Sequence, residues 1–275
     1  MKLSYEEKRK KVQDFRPIDD TFFEVFANNC DVCQEILRVI LEDEELEVIK
    51  VDVQENFKNL IGRSIRLDAL CILKDGTRCN IEVQRADNDD HLRRARYHAS
   101  CITASLTDPG DDFRDIPTVY VIYISEFDFL KKNRTIYHID KVIRETGTVI
   151  DDGLHEIFVN TNIDDGSDIA ELMSCFMQKE VDNPKFPCFS SRVQYLKNDE
   201  GGIGVMCEVM EKYAIEYAKE YAEKYAKEYA EEYAAAEKDR DILNALKKGI
   251  TIEVICAVMG VTESRVKEIQ KSMEE

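Results

Sequence analysis

The chain of 275 residues has no apolar run approaching the ~20 residues needed to cross a bilayer. Its opening, MKLSYEEKRKKVQDF, carries charge but no apolar stretch, so neither a span nor a secretory leader is expected, and the cytoplasm is the expected compartment. Positive charge is also scarce. A net charge of −18 argues against non-specific nucleic-acid binding by phosphate neutralisation. It leaves room for a local basic face or a cation held by carboxylates, because charge acts within a Debye length of ~8 Å. Zinc spacing is missing: His91, His98, His138 and His155 form no ligand pattern, and Cys30 and Cys33 make a Cys-x-x-Cys without a second pair. The nine cysteines, an odd number scattered along a long chain, suit reduced thiols better than a disulfide framework, and no structural disulfide is expected. The GGIG of 201–204 lacks the Lys and the strand-to-helix setting of a phosphate loop and reads as a hinge.

What is present suffices for one sizeable core and an appendage, with 44% hydrophobic residues. The pattern predicts a helix over DDTFFEVFANNCDVCQEILRVILEDEE capped by Asp19 or Asp20, then a strand at LEVIKVDVQ. A hairpin follows over 64–84, then a helix over DNDDHLRRARYHASCITASL capped by Asp89 or Asp90. PTVYVIYIS reads as a buried strand, LHEIFVN as another, and IAELMSCFMQ as a helix. Pro and Gly around NPKFPCF and NDEGGIG mark a loosening, which sets the expected boundaries at 1–205, 206–240 and 241–275.

The second segment repeats Tyr-Ala every four residues from Tyr213 to Tyr233, with opposite charges at Lys219 and Glu223 and at Lys227 and Glu231. A four-residue period overshoots the helical turn by roughly 40° per step, so the Tyr stripe winds around the axis. It reads as a long solvated helix with some self-association. In the third segment Gly249, Thr251, Gly260 and Thr262 punctuate three short helices spaced like a helix-turn-helix, with Cys256 facing the turn and Val261 and Val266 after it. Arg265, Lys267 and Lys271 would face DNA, yet Glu263, Glu268, Glu274 and Glu275 offset them. A DNA reader and a helical dimerisation module both remain open.

The hairpin RLDALCILKDGTRCNIEVQ, residues 66–84, places acids in its strands. A two-residue loop of Asp75 and Gly76 would put Asp68 away from Glu82 and split the apolar residues between faces. A three-residue loop with Gly76 left-handed pairs Leu67 with Val83, Ala69 with Ile81 and Cys71 with Cys79 on one apolar face. Asp68 then opposes Glu82, with Gln84 beside it. Opposed carboxylates repel unless a cation or a shared proton relieves them. Such hard oxygen donors suit Mg²⁺, Mn²⁺ or Ca²⁺, and Asp20 or Glu24 of the first helix could add another. The alternative is an ordinary polar face on a half-buried hairpin.

The ordered set DDTFFEVF, RLDALCILKDGTRCNIEVQ and RRARYHASC ahead of a buried strand resembles the PD-(D/E)XK nuclease superfamily, within it the recombination-promoting nuclease and transposase branch, over about residues 16–165. Asp20, Phe23 and Phe26 match the opening, Asp68 the strand Asp, Glu82 and Gln84 the Glu-x-Gln, and Arg96 and Tyr97 the following helix. The departures are Leu67 at the Pro position, Glu24 where the branch usually has Lys, and Gln84 at the superfamily Lys. The resemblance implies an α/β restriction-endonuclease-like core, a mixed sheet flanked by helices, followed by the long helix and the small helical unit. It implies a DNA endonuclease that uses Mg²⁺ (or Mn²⁺ or Ca²⁺), linked to recombination, mobile elements or phage defence. Asp68 and Glu82 would hold the metal with Asp20 assisting, Gln84 would position water or metal, and Arg93, Arg94 or Arg96 would supply the positive charge that Gln84 lacks. Cutting both strands favours a homodimer through the C-terminal helices. The alternative is a regulatory protein on an inactive nuclease scaffold, binding DNA or a partner through that helical module.

Overall fold

The computed structural model describes residues 4–57, 65–87 and 90–271. Asp89, Glu274 and Glu275 lie outside the described residues, as do the side chains of Glu223 and Glu231. Helix α1 (Tyr5–Asp14) leads to α2 (Asp20–Phe26) and α3 (Cys30–Leu41), which are two helices and not the single one predicted. The break has a local cause: Asn29 leaves helical geometry and caps α3, its side chain accepting from Val32 N at 3.0 Å. Strands β1 (Val48–Phe57), β2 (Ile65–Leu73) and β3 (Arg78–Gln84) follow, then α4 (His91–Ser105) and β4 (Val119–Ser125). A short strand β5 (Ile136–Ile139) and a hairpin of β6 (Lys141–Ile143) and β7 (Thr148–Ile150) come before β8 (Leu154–Asn160); the sequence pattern had suggested none of these three.

The main sheet is mixed, in the order β1-β2-β3-β4-β8-β5. β1, β2 and β3 run antiparallel, β3, β4 and β8 are parallel, and β5 returns antiparallel to β8. Parallel strands in the middle of a sheet are covered on both faces, which explains the near-continuous apolar run of β4. One face packs the Phe-rich α2 with α3, α5 (Asp168–Met177) and α6 (Pro187–Asn198); Phe23, Phe26, Phe176 and Phe189 meet there edge to face or tilted. The other face packs α4 through Ala95, Ala99 and Ile102.

Helix α7 spans Glu200–Lys247, so the glycines at 201, 202 and 204 are helical and form no hinge. At Gly202 packing requires glycine. A Cβ there would meet Tyr195 O at 2.2 Å, so the two backbones approach too closely for any side chain. Ile203 and Met206 then bury themselves in the Phe-rich core. Two compact units divide the chain, Met1–Glu211 and Lys212–Glu275.

In the second unit, α8 (Ile252–Met259) ends on left-handed Gly260 and α9 (Glu263–Lys271) follows. Ile242, Ala245, Ile255, Val266 and Ile269 form a small core of their own. Tyr217, Tyr221, Tyr225, Tyr229 and Tyr233 are exposed on α7. Among the described residues no helix is long and apolar enough to cross a membrane.

Candidate active site

The turn of the central hairpin is a three-residue loop. Gly76 adopts φ 92° and donates to Leu73 O at 3.0 Å, while Leu73 N reaches Thr77 O at 2.9 Å. Ala69 pairs with Ile81 and Cys71 with Cys79. The ladder ends there, however, and Leu67 does not join the same apolar face. It packs with Ile65 and Leu70 on the α4 side of the sheet, whereas Ala69 and Cys71 face the Phe-rich side. The alternation breaks at Asp68, opposite Gln54 of β1, whose backbone is left-handed (φ 54°).

At the break, side chains replace ladder bonds. Val83 N donates to Asp68 Oδ2 at 3.0 Å, and Asp68 N points at Glu82 Oε1 at 3.3 Å. Asp68 and Glu82 are therefore neighbours at the floor of one cleft of about 780 Å³, with Gln84 further along the same face of β3. Asp20, at the start of α2, lines it too. Glu24, one turn on, is buried and does not. Burial and the neighbouring Glu82 charge push the Asp68 carboxyl well above the usual carboxylate range. Asp20 is also raised, chiefly by burial, against the lowering effect of Arg85.

Arg93 and Arg94 of α4 line the cleft; Arg96 is exposed and lies outside its lining. Arg94 is held by Asp90 at 3.1 Å. Gln84 directs Nε2 to Ala86 O at 2.7 Å and accepts from the Tyr123 hydroxyl at 3.3 Å.

Four further residues shape the site and were not found by sequence reasoning. Arg66 and Arg85 line the cleft, and Arg85 pairs with Asp19 at 3.0 Å and Glu126 at 3.2 Å. Asn80 Nδ2 donates to Glu82 Oε1 at 2.9 Å, and His98 Nδ1 lies 3.3 Å from the same oxygen. Strand alternation carried a signal for Asn80, which is two residues before Glu82. Nothing local signalled His98.

Among the described residues no group of three His, Cys, Asp or Glu side chains is gathered closely enough to hold an ion. The hard oxygen donors that β2 and β3 bring to the cleft are the Asp68 and Glu82 carboxylates. That set suits Mg²⁺, which keeps several waters and is commonly bound by one or two carboxylates together with substrate phosphates.

A six-stranded mixed sheet flanked by helices, with its acids where β2 and β3 diverge, defines a restriction-endonuclease-like α/β fold. The chain belongs to the PD-(D/E)XK nuclease family transposases, whose family model matches residues 17–166. No curated protein and no solved structure matches it.

Proposed function

We propose that this protein is a divalent-metal-dependent DNA endonuclease, acting in recombination, mobile-element movement or phage defence. The observation that carries the reading is the Asp68–Glu82 pair in an arginine-lined cleft, where burial and the neighbouring Glu82 charge push the Asp68 carboxyl up. Asp68 and Glu82 would hold Mg²⁺, or Mn²⁺ or Ca²⁺ in its place, with Asp20 assisting from the cleft wall. A divalent cation there supplies positive charge to the phosphodiester and acidifies a water. The chain's own groups do the rest. The Gln84 amide orients the attacking water, and Arg93 and Arg94, with Arg66 and Arg85, hold the phosphates on either side of the scissile bond.

The test is cleavage of supercoiled plasmid with Mg²⁺ and with EDTA. Asp68→Ala and Glu82→Ala should each lower the Mg²⁺-dependent rate by about 10²-fold or more. Cleavage that survives both substitutions sinks the assignment.

Self-association through α7 is the accompanying proposal, supported by its exposed Tyr stripe, in which Tyr221 and Tyr225 stack at 6.4 Å. The second reading, a binding protein that uses its C-terminal unit on an inactive scaffold, draws on the amide of Gln84 at the superfamily lysine position. Against DNA as that unit's target, Arg265 is paired with Asp239 (2.5 Å) and Lys267 with Glu263 (2.6 Å). Sequence-specific DNA binding by the full chain without cleavage would favour it.

A further inference from the structure

Glu82 presents its two oxygens to different surroundings. Oε1 accepts from Asn80 Nδ2 at 2.9 Å, takes the Asp68 N–H at 3.3 Å, and has His98 Nδ1 3.3 Å away. Among the described residues, Oε2 takes no such partner, while Glu82 itself lines the cleft. Asn80 is fully buried, at 0% exposure, and its Oδ1 has no hydrogen-bond partner, so its bond to Glu82 is what its amide does there. His98 is buried on the inner face of α4 beside Ala95 and Ala99, and its Nδ1 also lacks an aligned hydrogen bond. Two buried polar groups, one from β3 and one from α4, thus converge on a single carboxylate oxygen.

We infer that Asn80 and His98 are positioning residues that pin Glu82 Oε1 and reserve Oε2 for the cleft cation. This inference rests on the metal reading of Glu82 given above. A carboxylate turns through a broad torsional range about its last bond. Fixing one oxygen from behind sets the direction of the other and removes the freedom that binding would otherwise have to restrict. Asn80 fixes the oxygen along the strand by its hydrogen bond, and His98 closes over it from the helix with Nδ1 3.3 Å away. Both act through Glu82, Asn80 from outside the cleft lining and His98 from within it.

The experiment is titration of the full chain with Mn²⁺ in a calorimeter, without DNA, on wild type and on variants whose folding is checked by circular dichroism. Asn80→Leu keeps the volume and removes the donor, and His98→Leu does the same from the helix. Each should weaken Mn²⁺ binding about 10- to 100-fold. His98→Gln, which retains a donor, should stay within about threefold of wild type, a rescue that loss of packing alone would not give. In plasmid cleavage the Leu variants should lose kcat with KM for DNA unchanged. If either Leu variant does not fold, Asn80→Ala and His98→Ala, which also remove the donor, carry the same comparison. Mn²⁺ affinity within about twofold of wild type in the folded donor-removing variants of Asn80 and His98, with Glu82→Ala abolishing binding, overturns the positioning role alone. Unchanged affinity in Glu82→Ala overturns the metal reading and this inference with it.

Discussion

Lys197 shows how far one buried side chain departs from its usual chemistry. It is 2% exposed, and its ammonium donates to Gln13 O at 3.0 Å and Phe15 O at 2.6 Å above the ring of Phe22. Burial pushes its pKa down to about 8. Between pH 8 and the ordinary lysine value near ~10.4 the unfolded chain binds more protons than the folded one, so folding gains stability as pH rises through that window. Urea unfolding at pH 7.5 and 9.5 should therefore show wild type gaining on Lys197→Met as pH rises; a constant difference would contradict the burial argument. Cys79 behaves in the same spirit. Burial raises its thiol to about 12. Iodoacetamide at pH 8, read by mass spectrometry on native protein, should leave Cys79 unmodified while half-exposed Cys101 and Cys256 react.

At the scale of elements, the contact between α6 and α7 turns on glycine, and two glycines two residues apart have opposite roles. A Cβ at Gly202 would strike Tyr195 backbone, whereas one at Gly204 meets nothing within 4 Å. Gly202→Ala should cost about 1–3 kcal/mol by forcing the helices apart. Gly204→Ala should gain up to ~1 kcal/mol through helix propensity. Chemical denaturation of the two variants measures both, and equal effects would mean that the close approach does not matter. The central hairpin was legible at this scale. Its turn residues and apolar alternation lead to Gly76 left-handed and to Asp68 beside Glu82. The kink that moves Leu67 to the other face was not legible, because it depends on the left-handed backbone of Gln54 in a neighbouring strand.

For the whole molecule, the division at Glu211 and Lys212 separates a core that includes the start of α7 from a smaller unit with its own core. Truncation after Glu211 should leave the main thermal transition in place. Truncation before Glu200 removes Ile203 and Met206 from the core and should lower Tm by many degrees, since each lost large apolar side chain costs about 2–5 kcal/mol. A calorimetric scan of the two chains decides it. Sedimentation of the full chain tests the α7 proposal: Tyr221→Glu with Tyr225→Glu should shift any dimer towards monomer.

The sequence by itself determined what short-range backbone physics governs: the helices of the appendage and their glycine stops, the tight turn at Gly76, the buried run of β4, and two acids on facing strands. These follow from periodicity, capping and turn chemistry within a few neighbouring residues. The tertiary structure alone decided which distant side chains share the cleft with those acids. Arg66, Arg85, Arg94 and His98 reach it from β2, from the end of β3 and from α4, whereas Arg96, on the same helix as Arg94, does not. Such selection depends on how a helix is rotated against a twisted sheet. That rotation is set by the burial of Ala95, Ala99 and Ile102 against β2, β4 and β8 and by no local pattern around the arginines themselves.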